Sequence, residues 1–158
     1  MAPRGLAVAA GVCRTIVVTL SSAACACTLV APEVNFSPMI FMKATLVIEL
    51  FWHAPRLVYD AAQVFFHAPL PPHHMLLSTL VVTEWVMMLL LFASGSSAMA
   101  VVVFFQKDTG ACRWVHPEAC SHWHAASAVL TLWAWFFSLV IAVLMFFLRA
   151  SPAIGQQY

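Results

Sequence analysis

Residues 75–105 read MLLSTLVVTEWVMMLLLFASGSSAMAVVVFF, an apolar run in which Glu84 is the one charged side chain. A transmembrane helix needs about 20 predominantly apolar residues, each adding about 1.5 Å of length. This run is longer than a bilayer core requires. It therefore predicts a membrane-spanning helix that is tilted or that protrudes at one end.

Three further apolar runs lie on either side of this one. They cover residues 6–31, 39–62 and 125–148, and the chain as a whole is 63% hydrophobic and 8% charged, with a mean hydropathy of +0.93. A soluble protein carries about 25% charged residues. The sequence therefore predicts a single all-α domain over residues 1–158, a four-transmembrane-helix bundle with only short loops.

The run at 39–62 has the weakest hydropathy of the four. It holds several residues that disfavour contact with lipid: Lys43, Glu49, His53, Pro55 and Arg56. Prolines follow at positions 69, 71 and 72, and the segment 106–123 is polar. Both segments are predicted to be loops that flank the third span.

Four spans place both termini on the same side of the membrane. Lysine and arginine favour cytoplasmic connectors. Arg4, Arg56 and Arg149 fall on the side of the termini, whereas Lys107 and Arg113 fall on the other. The sequence predicts a multi-pass protein with both termini in the cytoplasm.

A cleaved signal peptide is the alternative interpretation of the first run. Its basic start, its apolar stretch and its small residues near Ala24 and Ala26 fit such a signal. Arg14, however, lies in the middle of the apolar stretch. We therefore expect the first run to remain as a span.

Arg14 and Glu84 are predicted to form an intramembrane ion pair. An ionisable side chain in hydrocarbon costs at least about 2.5–3.5 kcal/mol, so it needs a partner or a wet cavity. The first and third spans run in the same direction, and each residue lies about 12–14 Å from the inner edge. The two can therefore meet, and exchanging their charges is expected to restore part of what neutralising one removes.

Glu49 competes with Glu84 for Arg14, because its helix brings it within several ångströms of the same depth. Glu49, His53 and Arg56 also share one helical face, so this helix can satisfy its charges internally. We expect these intramembrane charges to fix helix packing. A proton or ion path would need polar residues at further depths.

Cys112 and Cys120 lie in the polar connector that is the outer, oxidising side in this orientation. They predict a disulfide, worth about 2–3 kcal/mol in so short a loop. With His116 and His122 they form an alternative metal site, whose spacing matches no zinc motif. No metal, cofactor or catalytic residue is therefore predicted.

Small residues in the third run predict a helix-packing face. Ala93 and Ser97 stand four residues apart, as do Ser94 and Ala98. This spacing lets a neighbouring backbone come close. The neighbour is either another helix of this chain or a second copy.

The stretch from Thr83 to Ser151 has a characteristic order of features. An acid precedes a tryptophan in the third run, a small-residue run follows, two cysteines lie in the next loop, and the fourth run is apolar: Glu84, Trp85, Ala93–Ala100, Cys112, Cys120, Ala126, Ser127 and Trp135. Arg14 in the first run completes the pattern. In these features the chain resembles the plant Casparian strip membrane domain protein-like (CASP-like) family, which is related to the MARVEL domain.

The resemblance implies a four-span plasma-membrane protein with cytoplasmic termini, an arginine in the first span and an aspartate in the third. Glu84 stands in the position of that aspartate. The family's founding members assemble into a fixed membrane scaffold and carry a characteristic first outer loop. The first outer loop of this chain is only about Pro32–Pro38 and lacks the characteristic signature. The resemblance is therefore to a CASP-like member and implies no role in building a Casparian strip.

These features predict a non-enzymatic scaffold that self-associates in the plasma membrane. Its expected partners are the lipid bilayer, further copies and related family members, with no small-molecule substrate. The alternative is a small transporter or channel in which Glu49, Arg56 and Glu84 line a path. A haem enzyme is disfavoured because His53 is the one histidine clearly inside a span. Nucleic acid is excluded because the net charge of +1 supplies no basic surface.

Overall fold

The computed structural model describes residues 2–32, 36–66, 74–107 and 122–150. These residues form four helices and no strand: α1 (Ala2–Val30), α2 (Ser37–Phe66), α3 (His74–Lys107) and α4 (His122–Ala150). Each predicted span coincides with one helix to within a few residues. The predicted all-α class is therefore confirmed.

Three of these helices are long and apolar enough to cross a membrane. The corresponding segments are Val8–Val30, Ser78–Lys107 and His122–Phe147. The helix α2 is not among them, because residues such as Lys43 and Glu49 lower its hydropathy. The structure therefore has the composition of a membrane protein.

Consecutive helices run antiparallel. Near one end of the bundle, Phe36 just before α2 stacks on Phe105 near the end of α3, with ring centroids 5.1 Å apart. Towards the other end, Arg14 in the first half of α1 contacts Asp60 in α2 and Glu84 in α3. The main helix pairings are α1 with α2 and α4, and α3 with α2 and α4. The helices α1 and α3 are therefore diagonal neighbours across the bundle.

The buried face of α1 advances in alternating steps of three and four residues. It consists of Ala10, Arg14, Val17, Ser21, Ala24, Thr28 and, just beyond the helix, Ala31. Such a repeat is typical of helices that pack at about 20° in a left-handed bundle. Away from this face α1 exposes apolar side chains such as Val12 and Leu29. An apolar exterior is what a helix in contact with lipid presents.

The bundle interior has an apolar part and a polar part. The apolar core consists of Ala24, Met39, Met42, Leu46, Leu91, Ala98, Val102, Ala128 and Ala134. Ser127 of α4 donates a hydrogen bond to the Ala24 carbonyl of α1 at 3.0 Å. Such a bond links two helices without exposing a polar group to lipid. The polar part lies around Arg14 and Glu84.

The helices α3 and α4 approach closely at Gly95. A Cβ atom added there would lie 3.1 Å from Leu132 Cδ2 and 3.3 Å from Thr131 Cγ2. Further along the same pair of helices, Trp135 Nε1 donates to Met88 Sδ at 3.1 Å. The absence of a side chain at Gly95 therefore allows the two backbones to pack together.

The four small residues predicted to form one packing face divide between two environments. Ser94 and Ala98 are buried, Ser97 is half-buried and Ala93 is exposed. Each residue step turns a helix by about 100°, so Ala93 lies on a different side from Ser94. Packing within the chain uses Ser94, Gly95 and Ala98, while Ala93 faces outward.

The predicted disulfide between Cys112 and Cys120 lies outside the described residues, as does the alternative metal site around His116. Among the described residues, no group of histidine, cysteine, aspartate and glutamate has the geometry to hold a metal ion. Because Cys112 and Cys120 lie outside the described residues, the disulfide stays a prediction.

Candidate functional site

Charged and titratable side chains from three helices meet inside the bundle. We call them the charge cluster: Arg14 of α1, Glu49, His53, Arg56 and Asp60 of α2, and Glu84 of α3. Arg14 is 1% exposed, and Glu49, His53 and Glu84 are 0% exposed. At such burial, unpaired ions would strongly destabilise the fold. The contacts within the cluster are therefore the main polar feature of the structure.

The helix α2 supplies most of the cluster because its polar residues recur at helical spacing. Glu49, His53, Arg56 and Asp60 follow one another in steps of four, three and four residues. These steps keep all of them on one face. The helix continues through Pro55, which is exposed and lies outside this face. The polar face of α2 is thereby directed towards α1 and α3.

Glu84 is the residue that joins the cluster. Arg14 Nη2 donates a hydrogen bond to Glu84 Oε1 at 2.8 Å, and Arg56 Nη1 lies 2.8 Å from the same oxygen. The other oxygen, Oε2, lies 3.9 Å from His53 Nε2. One carboxylate of α3 therefore forms an ion pair with a guanidinium group of α1 and with another of α2.

Arg14 reaches across the bundle to two helices. Besides Glu84, its Nη1 atom donates a hydrogen bond to Asp60 Oδ2. Charge-assisted hydrogen bonds of this kind are stronger than neutral ones and fix geometry. Arg14 thus ties α1 to its neighbour α2 and to the diagonal helix α3.

Glu49 and Glu84, the two acids that the sequence offers as partners of Arg14, have different partners in the structure. The structure places Arg14 against Glu84, whereas Glu49 Oε1 lies 2.9 Å from His53 Nε2 on the same helix. Arg56, which the spacing also assigned to contacts within α2, turns to Glu84 instead and stacks 5.3 Å from the Trp52 ring. The charges of α2 are therefore satisfied internally only in part.

Asp60 is the functional residue that the sequence interpretation missed. The sequence predicts a polar face of α2 that runs from Glu49 through His53 to Arg56. One more step of four residues reaches Asp60. Continuation of the same spacing was the signal that could have found it.

Replacing Asp60 with asparagine is expected to destabilise the bundle by about 1 kcal/mol. The amide oxygen of Asp60→Asn still accepts from Arg14, and the side chain is 20% exposed, so solvent screens part of the lost charge. The measurement is the thermal midpoint of purified protein in lipid nanodiscs. A loss as large as that of Glu84→Gln would show that Asp60 contributes as much to the stability of the cluster as Glu84 does.

In comparisons of the whole chain with known proteins, no family model, curated protein or solved structure matches. The resemblance to the CASP-like family therefore rests on the residues quoted for it in the sequence. Two of those residues, Arg14 and Glu84, are in direct contact in the structure.

Proposed function

We propose that this chain is a four-span plasma-membrane protein of the CASP-like type that acts as a non-enzymatic, self-associating scaffold. Three helices have the length and composition of membrane spans. The proposal adds α2 as the fourth span, with both termini cytoplasmic. The resemblance and the arginines on the side of the termini support this orientation.

The environment of α2 supports its place in the membrane despite its low hydropathy. Its charged face packs against α1 and α3, where Arg56 and Asp60 meet partners. Its exposed side chains include Val47, Ile48 and Phe51. Lipid would therefore meet apolar side chains, and the cost of inserting the charges is offset by pairing inside the bundle.

The observation that carries self-association is the outward face of α3. Ala93 and Ala100 are exposed and Ser96 is half-buried between them, at three- and four-residue spacing. We call these three residues the small-residue stripe. Ser96 Oγ donates to the Phe92 carbonyl of its own helix at 2.6 Å, so the stripe offers no free hydroxyl to lipid.

Two shallow apolar grooves contain Ser96 or Ala100 of the stripe. One lies between the start of α2 and the end of α3 and is lined by Phe36, Ser37, Pro38, Ala100, Val101, Phe104 and Phe105. The other is lined by residues of α3 and α4: Phe92, Ser96, Met99, Ala100, Val103, Phe104 and Leu132. Helices in lipid associate where small residues let backbones approach and where side chains interdigitate. The small residues and the neighbouring apolar grooves support the proposal that this face contacts a helix of a second copy.

Bulky residues in the stripe are expected to convert oligomers to monomers. The test combines Ser96→Leu with Ala100→Leu and counts photobleaching steps of single labelled particles in lipid nanodiscs. The leucines would hold a second helix away from the α3 backbone. We expect the dissociation constant of the oligomer to rise at least about tenfold, which corresponds to a loss of roughly 1.4 kcal/mol or more of association energy, and the multi-step fraction to fall accordingly.

The matched control places the same changes on α1. Ser22 and Ala26 are exposed and have the same residue types and four-residue spacing. The combination of Ser22→Leu with Ala26→Leu is expected to leave the oligomer intact. The proposed contact face would be contradicted if the α1 control variant were monomeric while the α3 variant remained oligomeric.

Transport is the second candidate function. The observation that favours it is that Glu49 and His53 keep buried polar atoms without an aligned hydrogen-bond partner. The two grooves described above do not reach these atoms, since their linings hold no member of the charge cluster. A flux in proteoliposomes that disappears with Glu84→Gln would replace the scaffold proposal.

A further inference from the structure

The charges of the cluster do not balance when its histidine is neutral. Two guanidinium groups, from Arg14 and Arg56, stand against three carboxylates, from Glu49, Asp60 and Glu84. The sum is one negative charge. A buried charge without compensation is strongly unfavourable, and in practice such a site takes up a proton or an ion.

The excess charge can be assigned to a position. Glu84 contacts both arginines and Asp60 contacts Arg14, whereas Glu49 contacts His53. His53 and Glu49 are both 0% exposed. Glu49 is therefore the carboxylate that lacks an arginine.

The polar atoms at this position are unpartnered. Neither carboxylate oxygen of Glu49 and neither ring nitrogen of His53 has an aligned hydrogen-bond partner among the described residues. His53 Nε2 nevertheless lies 2.9 Å from Glu49 Oε1 and 3.9 Å from Glu84 Oε2. One nitrogen thus lies near oxygens from two carboxylates.

We propose that Glu49 and His53 form a proton-binding site in the interior of the helix bundle. Both arginines are charged and the imidazole by itself is neutral. The site then holds one additional proton between His53 Nε2 and Glu49 Oε1, and Glu84 Oε2 is the next nearest carboxylate oxygen. It brings the net charge of the cluster to zero. Release of this proton leaves one negative charge at the contact of α2 with α3, so the bundle is less stable without it.

The surroundings contain the following charged groups. The helix α1 contributes Arg14, α2 contributes Arg56 and Asp60, and α3 contributes Glu84. On α4, the described titratable residues near its start are His122 and His124, in its first turn. That turn lies near the end of the bundle away from the cluster, since nearby Ser127 contacts Ala24 rather than the level of Arg14.

A double-mutant cycle in the full-length protein tests the proposal. His53→Gln removes the imidazole that shares the proton and leaves Glu49 without its basic neighbour. Its thermal midpoint in nanodiscs near neutral pH is expected to fall by at least about 5 °C. Adding Glu49→Gln removes the excess charge, so the double variant is expected to recover most of that loss. A double variant as unstable as His53→Gln, or less stable, would overturn the proposal.

The pH dependence gives a second readout that a purely structural role would not affect. The wild-type midpoint is expected to fall as the pH rises, because release of the proton leaves an uncompensated charge in the bundle. Glu49→Gln has balanced charges with a neutral histidine, so its profile is expected to be flatter. This comparison stands even if His53→Gln does not fold. Parallel profiles for the wild type and Glu49→Gln would contradict a shared proton.

Selective ¹⁵N labelling of histidine locates the proton. The His53 resonances, assigned by their loss in His53→Gln combined with Glu49→Gln, are expected to show Nε2 protonated and strongly hydrogen-bonded in the wild type near neutral pH. In Glu49→Gln they are expected to shift towards a neutral ring. An unshifted His53 spectrum would rule out Glu49 as the partner.

Discussion

Replacing Glu84 with alanine is expected to abolish most of the folded protein. The change leaves Arg14 and Arg56 without the carboxylate that both contact at 2.8 Å. Breaking a buried ion pair by removing one partner costs about 3–5 kcal/mol, and here two cations lose a partner. Proteins are stable by only about 5–15 kcal/mol in total. The measurement is the monodisperse fraction by fluorescence-detected size-exclusion chromatography, followed by the thermal midpoint of what remains.

Two control variants separate the effect of the lost charge from the effect of lost packing and from the effect of any substitution in α3. Glu84→Gln keeps the shape of the side chain and is expected to retain more folded protein than Glu84→Ala. Lys107→Ala removes an exposed charge at the end of the same helix and is expected to behave as the wild type. A wild-type yield and midpoint for Glu84→Ala would show that the cluster does not hold the helices together.

The contacts of Glu84 also change the result expected from exchanging the charges. The sequence alone predicts that Arg14→Glu combined with Glu84→Arg restores part of the stability. In the structure, Glu84 also contacts Arg56. The exchange would place a guanidinium group on α3 against that of Arg56, and a carboxylate on α1 beside Asp60. We therefore expect no rescue.

Replacing Gly95 with leucine is expected to separate α3 from α4. Even the first carbon of a side chain would lie 3.1 Å from Leu132 and 3.3 Å from Thr131, and the rest of the leucine has to displace α4. Overpacking of this kind costs about 2–3 kcal/mol. For a protein of this size, that loss lowers the thermal midpoint by roughly 5–10 °C. Thermal unfolding in nanodiscs, followed by circular dichroism, measures it.

Gly11 of α1 provides the matched control. A Cβ atom added at Gly11 meets nothing within 4 Å. Gly11→Leu is therefore expected to leave the midpoint unchanged or to raise it slightly, since leucine favours a helix over glycine by up to about 1 kcal/mol. Equal destabilisation by the two substitutions would show that loss of glycine flexibility, rather than the contact with α4, is responsible.

The locations of the helices follow from the sequence because they depend on local properties. A long apolar run must satisfy its backbone hydrogen bonds within itself in lipid, and only a helix does so within one segment. The depth of Arg14 and of Glu84 follows by the same arithmetic, since each residue adds a fixed rise. The polar face of α2 could also be read, because its charged residues contrast with apolar ones.

The rotation of α3 could not be read in the same way. Apolar residues surround this helix, so its hydropathy shows no inward face, and Glu84 is the one charged residue within the apolar run 75–105 that marks a side. Two adjacent small residues differ in direction by about 100°. Packing against α4 therefore decides that Gly95 faces inward, while Ala93 remains outside.

The choice of partners within the charge cluster also depends on tertiary structure. Arg14, Glu49 and Glu84 lie at similar depths, so depth alone leaves more than one pairing open. The order of the helices around the bundle and the reach of each side chain decide that Glu84 receives both Arg14 and Arg56. The sequence by itself determined four helices and the depth of their charges, because rise and hydropathy are local quantities. Only packing determined which charges meet and which face of α3 remains free, because helix rotation and order are set by all four helices together.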